Sequence, residues 1–281
     1  KSEFNRDMTN GDLILRKDVE DFEKSLAEYV GTKYAIGLNS CTDALYLALR
    51  SLKIGSGDEV LVPSRTFVAS VQVIVQVGAT PVYYDMDGIF DMSDKTKAII
   101  PVHIEGEFDY HFERILDLAE KYNLHIIEDA AQALGATHNG KMAGSFGVAG
   151  CFSFYPAKIL GAFGDAGALT TNDEKLYNWV KGARNHFKET AEDWGVNSRM
   201  DNLQAALLNV RFKHLPEMLV RRKEIAEMYQ EGLTDLSWLK LPPHTDGRVW
   251  QDYIIQLGST EYRNELFDYL MANGCEVMKN N

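Results

Sequence analysis

Lys158 is the residue of this chain best suited to act as a nucleophile. It stands in residues 151–172, CFSFYPAKILGAFGDAGALTTN, between apolar neighbours, with no acid within five residues on either side. An amine held in a partly dry pocket loses proton affinity and becomes reactive. Gly161, Gly164 and Gly167 follow it. Glycine lets a backbone crowd against a bound group or take positive φ. A glycine-rich hairpin with a solvated lysine would have the same sequence, so the other polar residues at strand ends have to discriminate.

Four such features accompany the lysine. Residues 39–45, NSCTDAL, form a polar turn between a strand and a helix, and a helix N-terminus offers free N–H groups and a positive dipole end to a phosphate. Plain capping by Ser40 or Thr42 is the ordinary alternative. Residues 126–132, IIEDAAQ, place an acid at the end of an apolar strand. A buried carboxylate there is costly without a cation, for which a protonated pyridine would serve. A helix N-cap aspartate is the competing explanation. Ser153 could donate to a phosphate or simply bond the backbone. Phe67, in PSRTF at 63–67, could stack on a flat ring or begin the core face of the next helix. A lysine, a buried acid, a phosphate-cradling helix end and an aromatic plate are together what pyridoxal phosphate requires.

Three motifs in register, EDAAQALGA, SFYPAKILGAFGDAGALTTND and NSRMDNLQAALL, resemble the DegT/DnrJ/EryC1/StrS family. Its members are pyridoxal-phosphate aminotransferases, mostly acting on nucleotide-linked keto-sugars. The resemblance runs from about Thr9 to Gly274. It implies an aspartate-aminotransferase-like (type I) fold, an amino donor such as glutamate, a nucleotide-linked keto-sugar acceptor and a homodimer with shared active sites. By that resemblance Lys158 matches the Schiff-base lysine and Asp129 the acid paired with the pyridine nitrogen. Gln132 matches the glutamine near the ring's phenolic oxygen, and Ser153 the phosphate-binding serine. Cys41 and Thr42 fall on the phosphate turn, and Phe67 on the stacking aromatic. Asn197 matches an asparagine that reaches the neighbouring subunit's phosphate. Family dehydratases carry histidine in place of the lysine, so Lys158 favours amino transfer over that alternative. The chain departs from the family in having Cys41 where glycine is frequent, and in a short link over 87–95.

The elements that must position these residues follow from periodicity. Helices are expected over 18–30, 42–52, 68–77 and 112–122, and strands over 34–39, 59–63, 80–84, 98–102, 124–128, 151–154 and 168–171. Strand–helix alternation at this rhythm predicts an α/β fold, a mostly parallel sheet with helices on both faces and ligands beyond the strands' carboxyl ends. After Thr171 helices dominate (173–185, 201–208, 215–233), followed by strand character over 249–257 and a helix over 261–272. A cofactor-binding large domain over 1–214 and a partial small α+β domain over 215–281 are expected.

Composition narrows the class. The net charge of −12 opposes nucleic acid and anionic membranes but not a small phosphorylated ligand in a local site. The three cysteines, Cys41, Cys151 and Cys275, lie far apart, as for reduced thiols in a cytosol. No signal-peptide shape opens the sequence and no apolar run approaches a membrane span, so a cytoplasmic location is expected. Asp85 and Asp87 could form the metal-binding DxD of a nucleotide-sugar transferase, but a solvated loop is the simpler reading and Lys158 would then lack a role. No metal site is expected from the seven scattered histidines. A non-catalytic scaffold of the same fold is opposed by the presence of both Lys158 and Asp129.

Overall fold

The computed structural model describes Thr9, Gly11 and residues 13–279. Helix α1 (Lys17–Val30) buries Val19, Phe22, Leu26 and Val30 along one stripe, and Gly31 ends it at φ 82°. Then strand and helix alternate: β1 (Tyr34–Leu38), α2 (Cys41–Ser51), β2 (Glu59–Pro63), α3 (Val68–Gln76), β3 (Thr80–Tyr84), β4 (Thr96–Ile99), α4 (Phe112–Tyr122) and β5 (His125–Asp129). Two short strands, β6 (Thr137–His138) and β7 (Lys141–Met142), make a separate hairpin before β8 (Ala149–Ser153) and β9 (Gly167–Thr171).

Seven strands form one sheet in the order β1-β9-β8-β5-β4-β2-β3. The β8–β5, β5–β4, β4–β2 and β2–β3 pairs are parallel, whereas β9 is antiparallel to both β8 and β1. The chain returns from β8 directly through the glycine-rich loop 154–166, without the crossover helix that parallel strands require. The sheet is thus mostly parallel, as the alternation predicts.

Period-two alternation divides each strand between two covered faces. Ile36, Val60, Val62, Ile127 and Cys151 pack with Leu45, Leu49, Val73 and Ile74 of α2 and α3. On the other face Ala35, Phe152 and Ala168 meet Phe22 and Leu26 of α1, while Leu61, Ile99 and Ile126 meet Ile115 and Ala119 of α4.

The register places the site. Leu38 and Ser153 both face Gly167 across β9, so the carboxyl ends of β1 and β8 and the amino end of β9 lie at one edge. The parallel pairings carry the ends of β5, β4 and β2 to that same edge. The turns that begin at Asn39, Ser64, Ile100, Ala130 and Phe154 therefore emerge together.

After β9 come α5 (Glu174–Ala183), α6 (Asn202–Phe212) and α7 (Leu215–Leu233), which buries only Leu215 and Ala226. The strand β10 (Leu239–Lys240) pairs with β11 (Gln256–Leu257), and α8 (Thr260–Ala272) buries none of its residues. The strand expected over 249–257 is a correction: only its last two residues pair. Val249, Trp250 and Gln251 are buried instead as an irregular segment, because their backbone groups bond elsewhere. Val249 N–H donates to Gly106 O at 2.9 Å, and Arg222 donates to the Trp250 and Gln251 carbonyls. Among the described residues no helix is long and apolar enough to cross a membrane.

One buried acid fastens the edge. The Glu128 carboxylate is fully buried and accepts from the N–H groups of Gly144, Phe146 and Gly147 at 2.7–2.8 Å. It also faces His103 Nε2 at 3.1 Å. Since Asp109 N–H donates to His103 Nδ1, the imidazole proton is assigned to Nε2, which donates to Glu128. Removing the carboxylate would strand these donors. Glu128→Ala is expected to cost about 3–5 kcal/mol of stability, and Glu128→Gln less, read as a lowered urea midpoint. An unchanged midpoint in Glu128→Ala would contradict this account.

Candidate active site

Asp129 follows Glu128 and points to the opposite face of the sheet. It is 5% exposed, yet its carboxylate has only neutral donors. Ser70 Oγ donates to Oδ2 at 2.6 Å, Ala131 N–H to Oδ1 at 3.2 Å, and the Cys41 thiol lies 3.8 Å from Oδ1. Among the described residues no lysine, arginine or histidine pairs with it. A buried carboxylate without a cation is unfavourable unless the site receives one. A protonated ring nitrogen fits that requirement. Asp129 is no N-cap: it ends β5, its N–H and C=O bonded to Pro101 O and His103 N–H.

Lys158 lies on the loop that leaves β8, the strand whose Cys151 pairs with Asp129. The Cys41 thiol is pushed well above its ordinary range, first by burial and then by Asp129 and Cys151, while Lys158 pulls it the other way. Lys158 is half-buried on the loop after β8, in a turn closed by its N–H to Tyr155 O at 2.8 Å. Among the described residues no carboxylate pairs with its amine.

The start of α2 lies at the same sheet edge. Ser40 caps α2, its hydroxyl accepting from Asp43 N–H at 3.1 Å. The helix start leaves the Cys41 and Thr42 amides without an intrahelical acceptor. This turn rests on Gly167, where a Cβ would come 2.2 Å from Ser40 C and 2.5 Å from Cys41 N. Ser153, half-buried, is paired with that glycine across β8 and β9. Only glycine at 167 lets the start of α2 rest against β9 this closely.

Phe67 is the N-cap residue of α3 and is 70% exposed, which excludes a core role and leaves its face open. One turn later the same helix supplies Ser70, fully buried, which also contacts Thr66 Oγ1 at 2.8 Å. Sequence reasoning did not select Ser70. The available signal was a lone serine in the apolar run VASVQVIV. Gln132 is half-buried, and its Oε1 accepts from Glu105 N–H at 2.6 Å. That bond fixes the amide orientation and turns the NH2 into the free donor. Asn197 is different. It is exposed, bridged by backbone to Asn185, and makes no side-chain hydrogen bond to the cluster among the described residues.

An ionic rim borders Gln132. Glu105, at φ 60°, pairs with Arg65 and with Arg248, which also reaches Glu107 at 2.9 Å. Burial pushes the Glu105 carboxyl above its usual range, against the pull of both arginines. Asp85 and Asp87 accept from the Met86 and Ile89 N–H groups, as turn residues do. Among the described residues no cluster of three His, Cys, Asp or Glu could hold a metal.

Burial also raises the Cys151 thiol, and Cys275 is the exposed cysteine. Thiolate is the reactive form. Alkylation with iodoacetamide at pH 8 is therefore expected to label Cys275 alone in the folded chain, as mapped by peptide mass. Rapid labelling of Cys41 would contradict the burial described.

A dTDP-3-amino-3,4,6-trideoxy-alpha-D-glucose transaminase of Streptomyces venezuelae is 39% identical over 97% of this chain and 75% of its own length. A dTDP-3-amino-3,6-dideoxy-alpha-D-galactopyranose transaminase of Aneurinibacillus thermoaerophilus is 43% identical over 96% of this chain and 77% of its own. Among solved structures, S. venezuelae DesV in complex with a ketimine intermediate superposes with a TM-score of 0.91 at 38% identity, covering 97% of this chain and 76% of that one. A sequence model of the DegT/DnrJ/EryC1/StrS aminotransferase family matches residues 1–279. The chain belongs to the DegT/DnrJ/EryC1/StrS aminotransferase family.

Proposed function

We propose that this chain holds pyridoxal 5′-phosphate and transfers an amino group, with glutamate as donor, to a nucleotide-linked keto-sugar. One observation carries the reading: among the described residues Asp129 is a buried carboxylate that no cation pairs with, at the end of the strand that pairs with β8, from which the loop carrying Lys158 leaves. The cofactor, when bound, supplies an aldehyde for an amine and a cationic ring that withdraws electrons.

The chain's own residues have the remaining tasks. Asp129 holds a proton on the ring nitrogen and stabilises charge there; Ser70 and the Ala131 N–H keep its two oxygens aimed. Lys158 would hold the cofactor through its amine, and as a free amine would serve as general base and acid. The Cys41 and Thr42 amides, the Thr42 hydroxyl and Ser153 hold the phosphate at the positive end of α2. Phe67 covers one ring face. Gln132 offers its NH2 to the ring oxygen. Asn197, exposed and without a side-chain bond to the cluster among the described residues, suits the phosphate of a second copy, and we assign a homodimer on that basis. The sugar nucleotides named for the relatives support the acceptor class. A large cofactor-binding unit over 1–214, a smaller one over 215–281 and a cytoplasmic location complete the reading.

Borohydride reduction in the presence of pyridoxal 5′-phosphate is expected to fix the cofactor to the peptide containing Lys158, and Lys158→Ala to abolish that adduct. Adduct on another lysine in the parent would overturn the assignment. Asp129→Ala is expected to lower turnover with glutamate and nucleotide-linked keto-sugars by about 10²–10³-fold, read as aminated product by mass, with the urea midpoint little changed. Parent-like turnover would remove Asp129 from the site.

A further inference from the structure

The buried irregular segment before β11 ends on Gln251, and its side chain brackets Lys158. Gln251 Nε2 donates to Ala157 O at 3.0 Å, and Ile159 N–H donates to Gln251 Oε1 at 3.1 Å. One amide thus grips the residue before the lysine and the residue after it. Gln251 is 8% exposed. We infer that Gln251 is a positioning residue for Lys158, an inference that rests on the reading of Lys158 as the cofactor amine.

The turn itself needs such a hold. It is tied within itself by Lys158 N–H to Tyr155 O, and it lies in no helix or strand. Pro156 and Ala157 are exposed, and Gly161 must pass close to the Pro156 carbonyl, where a Cβ would lie 2.3 Å away. A loop amine swings with its backbone, and a reacting group placed 1 Å wrongly loses much of its effectiveness. Two hydrogen bonds from one planar amide fix both peptide units that flank the lysine Cα. A flexible side chain with a single bond could not do this.

Gln251 is in turn held rigid. Arg222 Nη1, on α7, donates to the Trp250 carbonyl at 2.8 Å and to the Gln251 carbonyl at 3.1 Å. Two residues earlier Val249 N–H is bonded to Gly106 O, and a Cβ on Gly106 would lie 1.7 Å from Val249 O. Arg248 packs over the Trp250 ring at 4.1 Å while pairing with Glu105 and Glu107. The segment therefore spans from the turn after β4 to the lysine loop. It couples the placement of Lys158 to the helices beyond Leu215.

Three measurements on the full chain test this, with pyridoxal 5′-phosphate as the probe. Gln251→Leu keeps the volume and removes both bonds; Gln251→Glu keeps the acceptor for Ile159 N–H and loses the donor to Ala157 O. In Gln251→Leu, hydrogen exchange at the Ile159 amide is expected to accelerate about tenfold or more without cofactor. Formation of the borohydride-trapped Lys158 adduct is expected to slow about five- to thirtyfold. Gln251→Glu is expected to protect Ile159 better than Gln251→Leu while still slowing the adduct. Urea midpoints provide the control for general loss of structure. If Ile159 exchanges faster but the adduct forms at the parent rate, Gln251 serves the loop's fold alone and the inference is overturned. Parent-like behaviour in both measurements overturns it as well. If Gln251→Leu does not fold, Gln251→Glu decides by the adduct rate. A parent chain that forms no adduct on Lys158 would overturn the cofactor reading, and this inference with it.

Discussion

Two adjacent acids on one strand have opposite fates, and the site depends on that contrast. Glu128 is saturated: three backbone N–H groups and a histidine surround it, and it has no capacity to spare. Asp129 is also buried, but among the described residues it meets a hydroxyl, a thiol and one N–H. A full negative charge that far from water calls for positive charge nearby. The first acid is structural because its demand is met within the chain. The second can direct chemistry because its demand is not.

Sheet polarity turns that local contrast into a site. Parallel pairing brings the ends of β2, β4, β5 and β8 to one edge, so the residues that leave them converge without long loops. The reversal of β9 is the necessary exception. It places the first residue of that strand at the crowded edge, and Gly167 has no side chain to keep the α2 turn away. With any larger residue there, the Cys41 and Thr42 amides and Ser153 would be separated. The start of α2, Ser153 and the loop carrying Lys158 all leave this one edge of the sheet.

The segment around Val249 has a different origin. Its residues are apolar and β-branched or aromatic enough to suggest a strand, and they are buried as a strand would be. Their backbone bonds go instead to Gly106 and Arg222, from two different parts of the chain. Burial and pairing are separate properties, and here the first occurs largely without the second. The result is a tether between the turn after β4, with its Arg65, Glu105 and Arg248 charges, and the loop that carries Lys158.

The sequence by itself determined most of the elements up to Thr171 and the covered, mostly parallel sheet, though not the short β6–β7 hairpin, and it singled out the lysine, the acid and the helix-start turn as candidates. Those features are local: period, caps and strand-end residues are written in short windows. It could not show that Ser70 supports Asp129, that Gln132 is oriented by Glu105, or that Gln251 brackets Lys158, because those contacts join residues from 27 to 94 positions apart. Nor could it tell which of Glu128 and Asp129 was satisfied, since both read as one acidic pair at a strand end. Only the tertiary structure decided these points. Hydrogen-bond satisfaction depends on what the rest of the chain places around a group, and no window of sequence contains that information.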